Sequence, residues 1–333
     1  MANNELYLGL IQCTFLTCRE KEILASNLDN LEDLTVLSME DICVRVGRRV
    51  RTSTWRPGTL RESVERQCGI QQRYGIRLVT VMDPDYPPLL REIHDPPFAL
   101  FWRGNLPDPV LPVAAIVGTR SPSGSGVLAA ERLGREFGYV GIPVVSGLAR
   151  GIDAFAHRGN LDGGGASIAV LACGPEQIYP KSNSRLAQRL LECGGCLMSE
   201  YPPGDPPLSF HFPQRNRIIS GLARGVIVVE APEKSGALIT ADFALEQGRD
   251  LFVVDGLLDS ARGKGTNSLH EQGAEAIRDA GELLSDWGFA PAKGDAGLVS
   301  GGVIPARNGP RGIGRQLALD IRNELIRREN RDR

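Results

Sequence analysis

Short apolar runs punctuate the chain beyond Pro112: Val113 to Val117, Ile142 to Val145, Ser167 to Leu171, Cys196 to Met198, Val226 to Val229 and Leu251 to Val254. Between them lie amphipathic stretches of helix length, such as Val127 to Phe137, Leu186 to Leu191 and Ala237 to Glu246. Strands whose apolar residues do not alternate with polar ones are covered on both faces. The pattern therefore predicts a doubly wound α/β domain with a mostly parallel sheet over residues 112–288. In such sheets ligands sit beyond the carboxyl ends of the strands.

Residues 1–75 read as a small helical domain. Leu28, Leu31 and Leu34 recur at helical spacing, and Ser38 with Asp41 resembles an N-cap box ahead of another helix. Trp55-Arg56-Pro57-Gly58 breaks the pattern, and a further helix is expected from Leu60 to about Tyr74, stopped at Gly75. Segment 76–111 reads as a linker with one short strand, Ile76 to Val81, followed by Asp83-Pro84-Asp85-Tyr86-Pro87-Pro88 and Asp95-Pro96-Pro97. Residues 289–333 read as a Gly/Ala-rich linker and a tail in which Leu317 to Ile326 would form one basic-ended helix.

Composition narrows the function. With 38 Lys+Arg against 40 Asp+Glu the formal charge is -2, so any anion site must be a local cluster rather than a property of the whole surface. One such cluster is Arg45, Arg48, Arg49, Arg51 and Arg56, near the acids Asp29, Glu32, Asp33, Glu40 and Asp41; a solvated charged face is the plain reading. The 7 cysteines are odd in number and scattered, which suggests a reducing compartment. No signal-like segment opens the chain, and no apolar run reaches the roughly 18 residues that span a bilayer. A cytoplasmic protein without membrane contact is expected.

Candidate chemistry gathers at the strand ends. The first strand of the α/β region runs into Gly118-Thr119-Arg120-Ser121-Pro122-Ser123-Gly124-Ser125-Gly126 and then a helix. Backbone amides of such a loop approach an oxyanion, the helix start adds positive potential, and Arg120 can fork onto a phosphate. The loop is neither a P-loop nor a regular dinucleotide fingerprint, and a structural tight turn is the alternative. The second strand ends at Ser146-Gly147-Leu148-Ala149-Arg150-Gly151-Ile152-Asp153, with His157 one turn later. A hydrolase is rejected because Val144, not glycine, stands two residues before Ser146. Ser146 and Gly147 are expected to offer hydroxyl and amide donors, with Asp153 and His157 as a local helical pair, and the two loops to line one crevice.

Farther on, Ile178-Tyr179-Pro180-Lys181-Ser182-Asn183 supplies a cation and an aromatic face, and Phe210-His211-Phe212-Pro213-Gln214-Arg215-Asn216-Arg217 packs aromatics, guanidinium groups and an amide together. Single-stranded nucleic acid calls for this combination of cations along a backbone and π-faces for bases; helix caps and core aromatics are the alternative. Cys193-Gly194-Gly195-Cys196 is read as coincidence, because a redox pair opens a helix and this one joins a helix end to a strand. No cofactor or metal is expected.

The order and wording of these loops resemble the DprA (Smf) family of bacterial DNA-processing proteins. The resemblance runs over about residues 75–280, from Val117-Gly118-Thr119-Arg120 and Ser146 to Asp153 with His157, through Ile168 to Leu171, Tyr179-Pro180, Ser199-Glu200 and Phe212 to Ile219. It continues through Val228-Val229-Glu230-Ala231, Ser235 to Ala241 and Gly265-Thr266-Asn267. It departs at Ala172-Cys173-Gly174-Pro175-Glu176 and at Asp255-Gly256, where Pro-Gly is common. The family implies an extended Rossmann-like domain that binds single-stranded DNA in a basic pocket, dimerises, protects incoming DNA and loads a RecA-type recombinase during natural transformation. On that pattern Arg120 and Lys181 would contact phosphates. The nucleic-acid-binding residues expected are Gly118, Thr119, Arg120, Ser146, Gly147, Arg150, Lys181, Phe212, Arg215, Asn216 and Arg217. The helical domain resembles the family's N-terminal module, of SAM or helix-hairpin-helix type, and no full winged helix of the kind many members carry is expected in the short, linker-like stretch after Gly288.

The competing reading is a nucleotide-binding or nucleoside-phosphate-cleaving enzyme of a related Rossmann-like family, with a nucleoside phosphate on Gly118 to Gly126. Glu200 and Glu230, each at a strand end, are the carboxylates such an enzyme would use. A pure protein adaptor would leave the basic strand-end loops unexplained.

Overall fold

The computed structural model describes residues 3–50, 52, 55–258 and 262–288. The expected tail helix at Leu317 to Ile326, the question of a winged helix, and Arg51 all lie outside the described residues.

Five helices open the chain: α1 (Asn4–Gln12), α2 (Cys18–Asn27), α3 (Leu31–Thr35), α4 (Met39–Val46) and α5 (Pro57–Tyr74). Their boundaries follow from capping. Thr17 and Glu20 make a reciprocal box at the start of α2, and Ser38 and Asp41 make the expected one at the start of α4. Leu28 closes α2 while Leu31 and Leu34 belong to α3, because Asn30 caps a new helix by accepting from the Asp33 amide at 3.0 Å. The break at Trp55 to Gly58 is a helix start: Pro57 is the first residue of α5, where its missing N–H costs nothing.

Segment 76–111 contributes more than a linker. It carries β1 (Arg77–Thr80), α6 (Pro88–Arg91) and β2 (Ala99–Gly104), and both strands join the main sheet at one edge as antiparallel neighbours. The neighbouring prolines hide β2 in the sequence, yet they precede the strand and remove no ladder hydrogen bond from it.

The α/β region follows as β3 (Ala114–Val117), α7 (Gly124–Tyr139), β4 (Val144–Ser146), α8 (Ile152–Asp162), β5 (Ile168–Val170), α9 (Ser184–Glu192), β6 (Cys196–Ser199) and α10 (His211–Leu222). It ends with β7 (Gly225–Val228), α11 (Gly236–Glu246), β8 (Asp250–Val254), α12 (Lys264–Glu271), β9 (Glu275–Ile277) and α13 (Ala280–Asp286). The sheet order is β1-β2-β6-β5-β4-β3-β7-β8-β9, parallel from β6 to β9. The chain steps outward from β3 to β6, then returns past β3 and continues from β7 to β9. That reversal opens a crevice between β3 and β7, where doubly wound folds bind ligands.

Both faces of the sheet are buried. Along β3, Ala115 and Val117 point into a core shared with the N-terminal helices, α10 and α11, whereas Ala114 and Ile116 pack against α7, α8 and α13. On that second face α7 and α8 touch backbone to backbone. A Cβ on Gly159 would stand 2.1 Å from the Glu131 carbonyl oxygen, and one on Gly134 would stand 2.4 Å from that of Ala156.

Candidate functional site

A cleft of about 690 Å³ opens at the reversal point. Its walls come from the loop after β3 (Gly118 to Arg120), the start of α10 (Phe212, Asn216), Tyr179, and the start of α11 with Lys234. The β3 loop is held from two sides: the Thr119 amide donates to the Glu230 carbonyl at 2.7 Å, and the Ile152 amide donates to the Thr119 carbonyl at 3.2 Å. Gly151 makes that approach possible. Its φ is +77°, and a Cβ there would lie 2.3 Å from the Thr119 oxygen. Arg120 is thereby presented to solvent, its guanidinium carbon 5.7 Å from the centre of the Phe212 ring.

Gly118, just after β3, and Ser146, the last residue of β4, stand at the ends of adjacent parallel strands, as the sequence predicts. The donors expected after β4 are nevertheless used within the protein. Ser146 is fully buried and its Oγ donates to the Ile116 carbonyl at 2.7 Å. The Gly147 and Ala149 amides donate to Asp153 Oδ2 at 3.1 and 3.3 Å, so Asp153 closes its own loop instead of pairing with His157. Ser167 Oγ donates to the Val144 carbonyl at 2.8 Å, which leaves His157 Nδ1, 2.6 Å away, to carry a proton and donate to that hydroxyl. Burial and the nearby Arg215 push His157 down to about 3. With Ser146 committed to a carbonyl and His157 facing Ser167, these side chains form no nucleophile and base.

The cations divide into two kinds. Arg215 is 5 % exposed; its Nη1 donates to the carbonyls of Gly147, at 2.8 Å, and of Val170. Its Nε donates to Asn216 Oδ1 at 3.2 Å, and Asn216 Nδ2 donates to the Gly236 carbonyl at 3.1 Å, tying α10 to the start of α11. Arg217 grips both carboxylate oxygens of Glu200 at 2.6 and 2.8 Å and reaches Asp95 at 3.4 Å. Arg120, Arg150, Lys181 and Lys234, by contrast, are exposed.

Tyr179 and Phe212 meet edge to face with centroids 5.4 Å apart; Tyr179 is 50 % exposed, and Phe210, packed on His211, is 55 % exposed. Lys181 begins a short 3-10 turn, Lys181–Asn183, two residues after Tyr179 and just outside the cleft wall. Asn183 holds the second loop by donating from Nδ2 to the Leu148 carbonyl at 2.9 Å, Leu148 having a left-handed φ of 54°. Lys234, Ser235 and Gly236 also line the cleft and are not among the residues the sequence points to as its site. The signal for them was the strand-then-glycine pattern at β7 and α11, which gains meaning only once β7 is known to lie beside β3.

Among the described residues no group of three or more His, Cys, Asp or Glu could hold a metal, and no helix is long and apolar enough to cross a membrane. Cys196 is buried while Cys193 is exposed, and both are free thiols.

Residues 77–288 match the family described as DNA recombination-mediator protein A. The chain is 43% identical to DNA processing protein DprA of Streptococcus pneumoniae over 212 residues, 63% of this chain and 74% of that one. It is 42% identical to protein Smf of Escherichia coli over 233 residues, 69% of this chain and 61% of that one. The X-ray structure of the Streptococcus pneumoniae protein superposes with a TM-score of 0.68 at 34% identity, covering 85% of this chain and 97% of that chain. A Helicobacter pylori DNA processing protein A, solved for its single-stranded DNA binding mode, superposes with a TM-score of 0.56 at 28% identity, covering 64% and 96%. With the family matched over most of the chain and the doubly wound sheet shared with its solved members, this protein belongs to the DprA (Smf) family of DNA recombination-mediator proteins.

Proposed function

We propose that the cleft binds single-stranded DNA, with exposed cations along the phosphates and Tyr179 and Phe212 as faces for bases. The observation that carries this is the Arg120 guanidinium over Phe212, beside Tyr179, at the crevice where this fold takes its ligands. Arg120 and Lys234 are the phosphate ligands of the cleft itself, and Lys181 and Arg150 extend the track outside it. Ser146, Gly147, Arg215 and Arg217 serve as framework: their polar groups hold the loops that present Arg120 and Phe212. Asn216 and the Gly118-Thr119 backbone line the cleft between them.

On this reading the protein is a binder of strands in DNA processing and natural transformation rather than an enzyme. The two carboxylates that nucleotide chemistry would call on support this, since Glu200 is clasped by Arg217 and Glu230 is buried. Protection of incoming strands, homodimerisation and delivery to a RecA-type recombinase complete the proposal, and these rest on the family.

Fluorescence anisotropy with labelled oligonucleotides at several salt concentrations tests the assignment. Each phosphate ligand lost on a single strand lowers the slope of log K against log salt by about 0.7. Arg120→Ala, Lys234→Ala and Lys181→Ala should each do so, and nearly equally for all base sequences. Phe212→Ala should cost roughly 1 to 3 kcal/mol and leave the slope unchanged. An Arg120→Ala protein that is folded and has unaltered affinity and slope would remove the cleft from the function.

A further inference from the structure

The glycine-rich loop after β3 leads into α7, a helix of 16 residues, and its start lies where doubly wound folds hold a ligand phosphate. In this chain the position is taken. Glu230, two residues beyond β7, is fully buried, and its Oε2 accepts from the Ser123 amide at 2.7 Å. The same oxygen would stand 2.6 Å from a Cβ on Gly126, so the carboxylate lies against the first turn of α7. A second first-turn donor, the Gly126 amide, is taken by Ser123 Oγ at 3.0 Å. The Glu230 carbonyl meanwhile anchors Thr119, so one residue both shapes the loop and fills it.

We infer that Glu230 is a specificity-determining residue: a resident anion that occupies the phosphate position at the start of α7 and so bars free nucleotides and pyrophosphate from the glycine loop. A negative charge at a helix start is favourable in itself, and an incoming phosphate would have to displace one already desolvated there. A polynucleotide needs no such site. Its phosphates can follow Arg120 and Lys234 at the exposed mouth of the cleft, so the inference deepens the single-strand reading and rests on it for what is bound instead.

The test is calorimetric titration of the full chain with inorganic pyrophosphate and, separately, with an oligothymidylate. Unsubstituted protein should give no heat with millimolar pyrophosphate, whereas Glu230→Ala should bind it at least about 10-fold more tightly, the scale of one charge at a helix end. A folded Glu230→Ala protein with no gain, or tight pyrophosphate binding by the unsubstituted chain that Ser123→Pro abolishes, would overturn the assignment. Should Glu230→Ala fail to fold, Glu230→Gln keeps the shape and the acceptor facing Ser123 and removes the negative charge. Its pyrophosphate affinity should then rise, and equal affinity would overturn the inference. The oligothymidylate arm is independent. Absence of binding there sinks the single-strand reading while the pyrophosphate comparison still decides the role of Glu230.

Discussion

His157 is wholly out of solvent and its neutral form is the one that fits, with Nδ1 on Ser167 and Arg215 nearby. The folded value of about 3 lies below the ordinary 6.5. Unfolded chains therefore bind the proton first, and this contribution to stability is complete above about pH 6.5 and is lost as pH falls toward 3. Between pH 7 and pH 5 the loss should be about 2 kcal/mol. Urea denaturation at the two pH values reads it, and His157→Asn should show a smaller pH difference than the unsubstituted chain; an equal difference would place the sensitivity elsewhere. Residue type alone did not separate this histidine from a catalytic one, nor Arg215 from Arg120. Each pair has the same chemistry, and only the surrounding carbonyls and solvent tell a framework group from a ligand.

Among the elements, the tightest contact is the crossing of α7 and α8, where glycines let the two backbones meet. Gly159→Ala should cost about 1 to 3 kcal/mol, toward the upper end because its Cβ would meet the Glu131 carbonyl at 2.1 Å and a backbone cannot rotate aside. A thermal midpoint unchanged from the unsubstituted chain would show that the helices slide apart freely. Strands β3 to β8 were legible from their apolar runs and α7, α9 and α11 from their amphipathic spacing, because burial on two faces or one leaves a periodic trace. The antiparallel β2 and the three-residue β9 left none that stood out. One is shadowed by Pro96-Pro97, and the other is too short for periodicity to be seen.

Across the whole molecule, the cleft lies at the carboxyl ends of the central strands, and no residue of the N-terminal helices lines it. The arginine cluster noted there is partly engaged, with Arg48 Nη2 on Glu20 at 2.9 Å, while Arg49 is exposed. Arg49→Ala should therefore leave the salt slope of oligonucleotide binding unchanged, and a drop of about 0.7 would give those helices a share of the strand. By itself the sequence determined the α/β class, the helical start of the chain, the family and the strand-end loops that matter, since hydrophobic period and loop wording are local properties. Only the tertiary structure decided which polar groups in those loops are free. It brought β7 beside β3, set Lys234 and the start of α11 in the same cleft as Arg120, buried Arg215 against two carbonyls, and carried Glu230 across 107 residues of chain to the Ser123 amide. Such pairings depend on which strands become neighbours, and strand order is a property of the assembled sheet rather than of any stretch of sequence.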